Sequence, residues 1–244
     1  MTAYRRIQRT QSNRVKIKWL IIFPKATKSF KIYLDAKHFV IGKKPYTFYL
    51  ALDVDSKLPI ACILLPRYEL REGYDCILKY LLSKNCQIKA IISDGHKGLF
   101  SSVADYYPNA IHQRCAAHVL QEVYRKLGGR RFTKTIITKQ IWPIMKKIAL
   151  GFDNYFSAKM YLGKMKKKYP HYKKAFAVFD NQLKYIYQFE NSKRLNIPRT
   201  SNQIENFMGF LQQRLKTMRG TKTPNNTIRI LCSLIAIKFK KPTK

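Results

Sequence analysis

Three carboxylates stand out by their positions in a chain that has only 13 acidic residues against 48 Lys and Arg. Asp35 and Asp94 each follow a run of residues that predicts a strand, and Glu205 lies near the start of a helical pattern. Carboxylate oxygens are the ligands that Mg²⁺ and Mn²⁺ prefer. Two such ions, about 3.5–4 Å apart, activate an attacking oxygen and stabilise the leaving oxygen of an in-line phosphoryl transfer. We therefore expect Asp35, Asp94 and Glu205 to be catalytic residues that hold two metal ions.

Each of these carboxylates also has a structural explanation. Asp35 could cap a turn, and Asp94 precedes a glycine, which is an ordinary turn signal. Glu205 would be favoured near a helix N-terminus by the helix dipole. Asp53 and Asp55 are rival candidates, but they lie in a predicted hairpin turn, where Asp is common. The set of three, rather than any one member, favours catalysis.

The order of the predicted elements indicates how the first two carboxylates are positioned. Short turn-like connections predict an antiparallel meander for the first three strands. We therefore predict an α/β fold with a ribonuclease-H-like mixed sheet, three antiparallel strands and then two parallel ones, flanked by helices. Strands one and four are neighbours in such a fold, which would bring Asp35 and Asp94 together at their tips. The predicted strands are residues 31–35, 46–53, 58–65, 88–93 and 110–113, and the predicted helices between them are 73–83 and 97–107.

The third carboxylate belongs to a long helix near the end of the chain. Thr200 and Gln203 form a capping box for this helix, and Ser201 is a rival N-cap. Glu205 lies just off one edge of the apolar stripe, and Gly220 is expected to end the helix. The stripe consists of Ile204, Phe207, Met208, Leu211, Leu215 and Met218, and the flank that Glu205 occupies also carries Gln212, Lys216 and Arg219 as DNA-compatible groups.

These patterns predict four segments along the chain. Residues 1–28 form a basic N-terminal arm, and residues 29–118 form the first part of the catalytic domain. A helical insertion follows at residues 119–197, and residues 198–244 supply C-terminal helices that complete the catalytic domain.

Charge indicates the class of partner. The formal net charge of +35 predicts a surface for a polyanion, most simply nucleic acid, although a ribosome-like or chromatin-like basic protein would share it. No apolar run is long enough for a membrane span, and the start lacks an apolar signal region. The five cysteines are scattered, with no Cys-x-x-Cys pair, so no disulfide framework is indicated. We expect a cytoplasmic, nucleoid-associated protein.

Three blocks of sequence resemble the Mutator-like group of DDE transposases, which includes many insertion-sequence transposases. The blocks are Leu34-Asp35-Ala36, the run from Ser93-Asp94-Gly95-His96 to Gln113-Arg114-Cys115-Ala116-Ala117-His118, and Thr200-Ser201-Asn202-Gln203-Ile204-Glu205-Asn206. The resemblance implies a catalytic Asp35–Asp94–Glu205 triad with two Mg²⁺ (or Mn²⁺) ions. It also implies cleavage and strand transfer at the ends of a mobile element. The implied partners are double-stranded DNA, as element ends and target, and further copies of the chain in a homodimer or higher oligomer.

The resemblance adds further site residues and leaves alternatives. His118, paired with Cys115 three residues earlier, is expected beside the acidic site, where it contacts a phosphate or orients a carboxylate. A zinc site that uses this pair with His112 is the alternative. Lys97 and Arg114 are candidate phosphate contacts. Because relatives usually carry a sizeable N-terminal DNA-binding region, a truncated DNA-binding derivative remains an alternative function. A ribonuclease-H-like nuclease, which hydrolyses DNA without strand transfer, is a second alternative.

Overall fold

A computed structural model describes residues 11–12, 15–16, 20–22, 31–66, 68–129, 137–218 and 223–239. Most of the basic arm, Arg219 and Gly220 lie outside the described residues. In the part of the chain that is described, no helix is long and apolar enough to cross a membrane.

Six strands form one mixed sheet in the order β3-β6-β5-β4-β7-β8. The pairs β4–β5 and β5–β6 are antiparallel, as predicted for the first three strands of the catalytic domain. The strands are β1 (Gln11–Ser12) and β2 (Val15–Lys16), which pair with each other, and β3 (Leu20–Ile22), β4 (Lys31–Ile41), β5 (Lys44–Asp53), β6 (Pro59–Leu65), β7 (Ala90–Ser93) and β8 (Ile111–Arg114) of the main sheet. The predicted α/β mixed-sheet fold class is confirmed.

The β4–β5 hairpin corrects the predicted position of Asp35. This residue was expected at the tip of a strand that ends there, but β4 continues to Ile41 and Asp35 is the fifth of its eleven residues. The turn is the two-residue Gly42-Lys43, with φ of 55° and 65°, the left-handed conformation that a tight hairpin requires. Asp35 therefore projects from the middle of a strand, opposite Leu50 of β5.

The β5–β6 turn accounts for the two rival aspartates. The Oδ2 atom of Asp53 accepts hydrogen bonds from the Ser56 N–H at 2.8 Å and from the Ser56 hydroxyl at 2.5 Å. Asp55 forms an ion pair with Lys31 at 2.8 Å. Both carboxylates thus stabilise the turn, as the turn explanation predicted.

Eight α-helices and two 3₁₀ helices, Pro170–Tyr172 and Gln188–Leu195, complete the described part of the chain, which divides into two compact units. Unit 1 comprises Met1–Ile91, His96–Ala110 and Asn202–Lys244, and unit 2 comprises Ile92–Gly95 and Ile111–Ser201. The helices are α1 (Arg71–Ser83), α2 (Lys97–Tyr106), α3 (Ala116–Lys126), α4 (Ile137–Leu150), α5 (Tyr155–Lys168), α6 (Lys173–Ile186), α7 (Asn202–Thr217) and α8 (Pro224–Phe239).

Helices α1 and α2 cover one face of the sheet, and the core of unit 1 lies between them and the strands. Ile32 and Leu34 of β4 pack in it with Leu78 of α1 and Leu99 of α2. Because side chains alternate along a strand, Asp35 points to the opposite face.

Helix α7 also packs against β4 within unit 1. Among the described residues, no α7 side chain belongs to the cluster under α1 and α2, although Ile204, Phe207, Met208 and Leu211 are all buried. We infer that α7 covers the face to which Asp35 points. The helix begins at Asn202, which favours Ser201 over Thr200 as its N-cap. The predicted apolar stripe was wrong at Met218, because this residue lies beyond the end of the helix and is 38% exposed.

Unit 2 is built mainly from α3 to α6 around their own apolar core. Val119 of α3, Met145 of α4, Leu162 of α5 and Phe179 of α6 are buried together in it. The helical character predicted for this part of the chain is therefore confirmed.

Candidate active site

Two of the three expected carboxylates lie on packed elements of unit 1. Asp35 is half-buried on β4, and Glu205 is half-buried in the first turn of α7. One Asp35 oxygen accepts a hydrogen bond from the Ala36 N–H at 2.9 Å. Since α7 packs against β4, we infer that strand and helix present their carboxylates on the same side of the unit.

The α7 surface that carries Glu205 continues along the helix. Residues spaced three and four apart share a helix face, so Glu205, Gly209, Gln212 and Lys216 form one stripe. Gln212 is half-buried and Lys216 is exposed. A Cβ atom added at Gly209 would meet no atom within 4 Å, so open space adjoins the stripe one turn after Glu205. Sequence reasoning missed Gly209, because a glycine inside a helix carries no chemical signal.

Asp94 lies in unit 2, directly after β7, and its main chain is bound by the side chain of Arg114. The Arg114 Nε–H donates to the Asp94 carbonyl oxygen at 3.3 Å, and its Nη2 lies 3.2 Å from Glu122 Oε2. Gly95 has φ of +91°, and a Cβ there would lie 2.3 Å from Arg114 Nε. Arg114, which the sequence predicts as a phosphate contact, also fixes the main chain that presents Asp94.

Cys115 joins three segments of unit 2. Its N–H donates to the carbonyl oxygen of Ser93 at 2.7 Å, and its sulfur accepts a hydrogen bond from the Ser201 N–H at 3.2 Å. Burial raises the pKa of the Cys115 thiol, but hydrogen bonds with His118 and Ser201 outweigh burial and lower the pKa below its ordinary value. His118, half-buried on α3, thus lies in contact with the sulfur.

His112, on β8 in the same unit, forms a hydrogen bond with Ser93. Its Nε2 atom lies 2.7 Å from the Ser93 hydroxyl oxygen. Burial lowers the pKa of His112 to about 4, so the imidazole is neutral at neutral pH. Ser93 thus occupies one nitrogen of His112, the residue considered as a third zinc ligand.

His96 and Lys97 lie at the N-terminal end of α2. The His96 Nδ1 atom accepts a hydrogen bond from the Gly98 N–H at 3.2 Å, so His96 is the N-cap of α2. Lys97, the first residue of that helix, is exposed. This exposure leaves the Lys97 ammonium accessible to a ligand.

Two further residues support unit 2 and were missed from sequence. Gln113 is fully buried, and its amide donates to the carbonyls of Arg114 and Ile186, both at 2.8 Å, and accepts from the Phe189 N–H at 2.8 Å. Arg199 donates to three carbonyls at the C-terminal end of α4 and stacks on two aromatic rings. Its partners are Ala149, Leu150 and Phe152, and the rings are those of Tyr187 and Phe189.

The donor chemistry of the three carboxylates fits a divalent cation. All three side chains offer only carboxylate oxygens, the hard ligands suited to Mg²⁺ or Mn²⁺, and each is half-buried rather than fully solvated. Cys115 and His118 offer softer donors, but the Cys115 sulfur is in contact with both His118 and the Ser201 N–H.

Comparison with known proteins gives a family match over most of the chain. Residues 37–237 match the family described as "Transposase, Mutator family". A curated relative, the transposase for insertion sequence element IS1201 of Lactobacillus helveticus, is 24% identical over 198 residues, which are 78% of this chain and 52% of the relative. The chain thus spans about half the length of this relative.

A solved structure shares the fold. The Drosophila P element transposase, in a strand transfer complex, superposes with a TM-score of 0.51 at 10% identity. The match covers 88% of this chain and 79% of that one. At this identity the similarity concerns the fold alone.

Proposed function

Because the chain belongs to the Mutator family of transposases, we propose that it cleaves DNA at the ends of an insertion sequence and joins the freed ends to target DNA. The observation that carries this proposal is the placement of Asp35 and Glu205, half-buried carboxylates on the packed elements β4 and α7 of unit 1. Asp94, held after β7 by Arg114, completes the catalytic set.

The three carboxylates would hold two Mg²⁺ or Mn²⁺ ions. Bound ions would activate the attacking oxygen and stabilise the leaving oxygen in an in-line displacement. The chain's own part is to fix the oxygen donors: β4 holds Asp35 in a strand, α7 presents Glu205 from its first turn, and Arg114 fixes the main chain of Asp94. His118, ordered by its contact with Cys115, would orient a carboxylate or a phosphate.

Contacts to DNA are proposed along the same surfaces. Lys216 is exposed on the stripe that carries Glu205, and Gln212 lies one turn before it. Lys97 is exposed at the first position of α2, where a helix N-terminus also favours phosphate. Arg114 and Arg219 complete the proposed set. Two element ends must be processed together, so we propose a homodimer or higher oligomer on DNA in the nucleoid.

The test uses supercoiled plasmid that carries the element's own ends, cloned from the flanks of the gene. We expect Mg²⁺- or Mn²⁺-dependent cutting at those ends by the wild-type chain and loss of at least a hundredfold in Asp94→Asn and Glu205→Gln. Asp153→Asn is the matched control, because it removes the same charge from an exposed aspartate. DNA binding by all variants, measured without divalent metal, separates loss of chemistry from loss of binding.

The outcomes also separate the alternatives. Cutting followed by joining to a second DNA supports the transposase, whereas cutting without joining would identify a nuclease. Binding without cutting by any variant would overturn catalysis and favour a DNA-binding derivative.

A further inference from the structure

Helix α5 presents two opposite faces of different character. Ala158 and Leu162 are buried in the core of unit 2, and Met165 packs against that core. The opposite face consists of Phe156, Met160, Gly163, Lys164 and Lys167. These residues lie on one side of the helix because residues three and four positions apart share a helix face. We call these five residues the α5 outer face.

The apolar part of the α5 outer face is turned towards solvent. Phe156 is 70% exposed and Met160 is 53% exposed. A Cβ atom added at Gly163 would meet no atom within 4 Å, so the helix surface is flat and open at this point. Glycine in an exposed helix costs about 1 kcal/mol relative to alanine. An aromatic ring, a thioether and a bare backbone on one solvent-facing stripe are typical of a contact surface.

The charges around this face have one sign. Helix α5 carries five lysines and no acidic residue. Lys166, away from the outer face, is paired with Asp180 at 2.8 Å, and Lys168 lies over the Tyr169 ring. Among the residues that the structure describes, neither Lys164 nor Lys167 forms an ion pair with a carboxylate. Two cations on the outer face thus adjoin the exposed Phe156 and Met160.

We propose that the α5 outer face docks duplex DNA. Charge complementarity selects this occupant, because Lys164 and Lys167 attract a phosphate backbone, whereas they would repel the same two lysines of a second copy docked through this face. Lys164 and Lys167 contact phosphates, Gly163 lets the backbone approach closely, and Phe156 with Met160 packs against sugars and base edges. This inference deepens the proposed function, on which it rests, by assigning a DNA surface to unit 2.

The lysines are tested by the salt dependence of binding. A 30-base-pair duplex of arbitrary sequence is titrated with the full chain at several salt concentrations without divalent metal. We expect the double variant Lys164→Gln and Lys167→Gln to bind at least tenfold more weakly, with a salt slope reduced by about 2, because each phosphate that a lysine neutralises adds roughly 0.9 to the slope. The matched control, Lys166→Gln with Lys168→Gln, removes the same charge from other sides of the helix and should change the slope by less than half as much. Equal slopes in the two double variants would overturn the proposal.

The aromatic ring is tested separately. We expect Phe156→Ser to weaken binding about tenfold with an unchanged salt slope, because an apolar contact displaces no counterion. Ile237→Ser is the control, since Ile237 on α8 is also 70% exposed. Unchanged affinity in Phe156→Ser, or a change in the sedimentation of the DNA-free protein, would overturn DNA as the occupant. Cleavage is not read in either assay, so a chain that binds in this way but does not cut would contradict only the catalytic proposal.

Discussion

The Ser201 N–H donates a hydrogen bond to the Cys115 sulfur at 3.2 Å, while the Cys115 N–H donates to the Ser93 carbonyl at 2.7 Å. Ser93 directly precedes Asp94 in the chain, and Ser201 directly precedes α7, whose first turn carries Glu205. A second bond, from the Ala116 N–H to the Arg199 carbonyl at 2.9 Å, holds the same segment. Cys115 therefore anchors the chain next to two of the three proposed catalytic carboxylates.

Replacement of Cys115 should affect both stability and activity. Cys115→Ala leaves the buried Ser201 N–H without its acceptor, so we expect a loss of about 1–3 kcal/mol in the free energy of unfolding. Cys115→Ser keeps an acceptor and should recover part of both the stability and the metal-dependent cleavage. Denaturant unfolding and plasmid cleavage are measured together. Cys62→Ala, at a buried cysteine of β6, is the control: cleavage equal in Cys115→Ala and Cys62→Ala would contradict an anchoring role.

Gln113 should be one of the most sensitive polar positions of unit 2. In Gln113→Leu the Phe189 N–H and the Ile186 carbonyl both lose a hydrogen bond of 2.8 Å to this buried side chain. We expect the free energy of unfolding to fall by about 2–5 kcal/mol, since an unsatisfied buried group costs about 1–3 kcal/mol. Gln121→Leu makes the same change at an exposed position of α3 and should be nearly neutral. Equal effects of the two substitutions in urea unfolding would contradict the proposed contribution of the buried amide.

His112 should make stability depend on pH in a defined window. Burial lowers its pKa to about 4, below the ordinary value of 6.5, so the unfolded chain binds the proton more tightly than the folded one. Stability contributed by the neutral ring is therefore present above pH 6.5 and is lost as the pH falls towards 4. The total is roughly 3 kcal/mol, since one pKa unit corresponds to about 1.4 kcal/mol. His112→Gln, which does not titrate, should remove this part of the pH dependence of unfolding; an identical profile in wild type and variant would contradict it.

The sequence predicted the order of elements well because apolar periodicity is a local property. Strands β4, β5 and β6 and helices α1, α2 and α7 all appear where periodic runs indicated them. The predicted length of β4 was wrong because the polar residues Asp35, Lys37 and His38 end the apolar run, whereas backbone pairing with β5 continues to Ile41. Asp35 therefore lies in the middle of a strand rather than at its tip.

The supporting residues of unit 2 could not be predicted for a different reason. Gln113 bonds to residues more than seventy positions away, and Arg199 bonds to carbonyls about fifty positions away. A basic side chain in a strongly basic protein is expected to face DNA, yet Arg199 binds the end of α4 and stacks on Tyr187. Such contacts arise from tertiary packing, so the spacing of neighbouring residues in the sequence does not predict them.

Gly95 and Gly163 should respond in opposite directions to the same substitution. Gly95 has φ of +91°, and a Cβ atom there would lie 2.3 Å from Arg114 Nε, so Gly95→Ala forces both backbone strain and a displaced arginine. We expect a loss of about 1–3 kcal/mol in the free energy of unfolding and a loss of at least tenfold in cleavage, because Arg114 holds the main chain of Asp94. Gly163→Ala meets open space on an exposed helix and should stabilise the chain by up to about 1 kcal/mol. Thermal and urea unfolding of both variants test the contrast. A Gly95→Ala chain as stable and active as wild type would show that the close approach of Arg114 to Asp94 is not required for presenting the carboxylate.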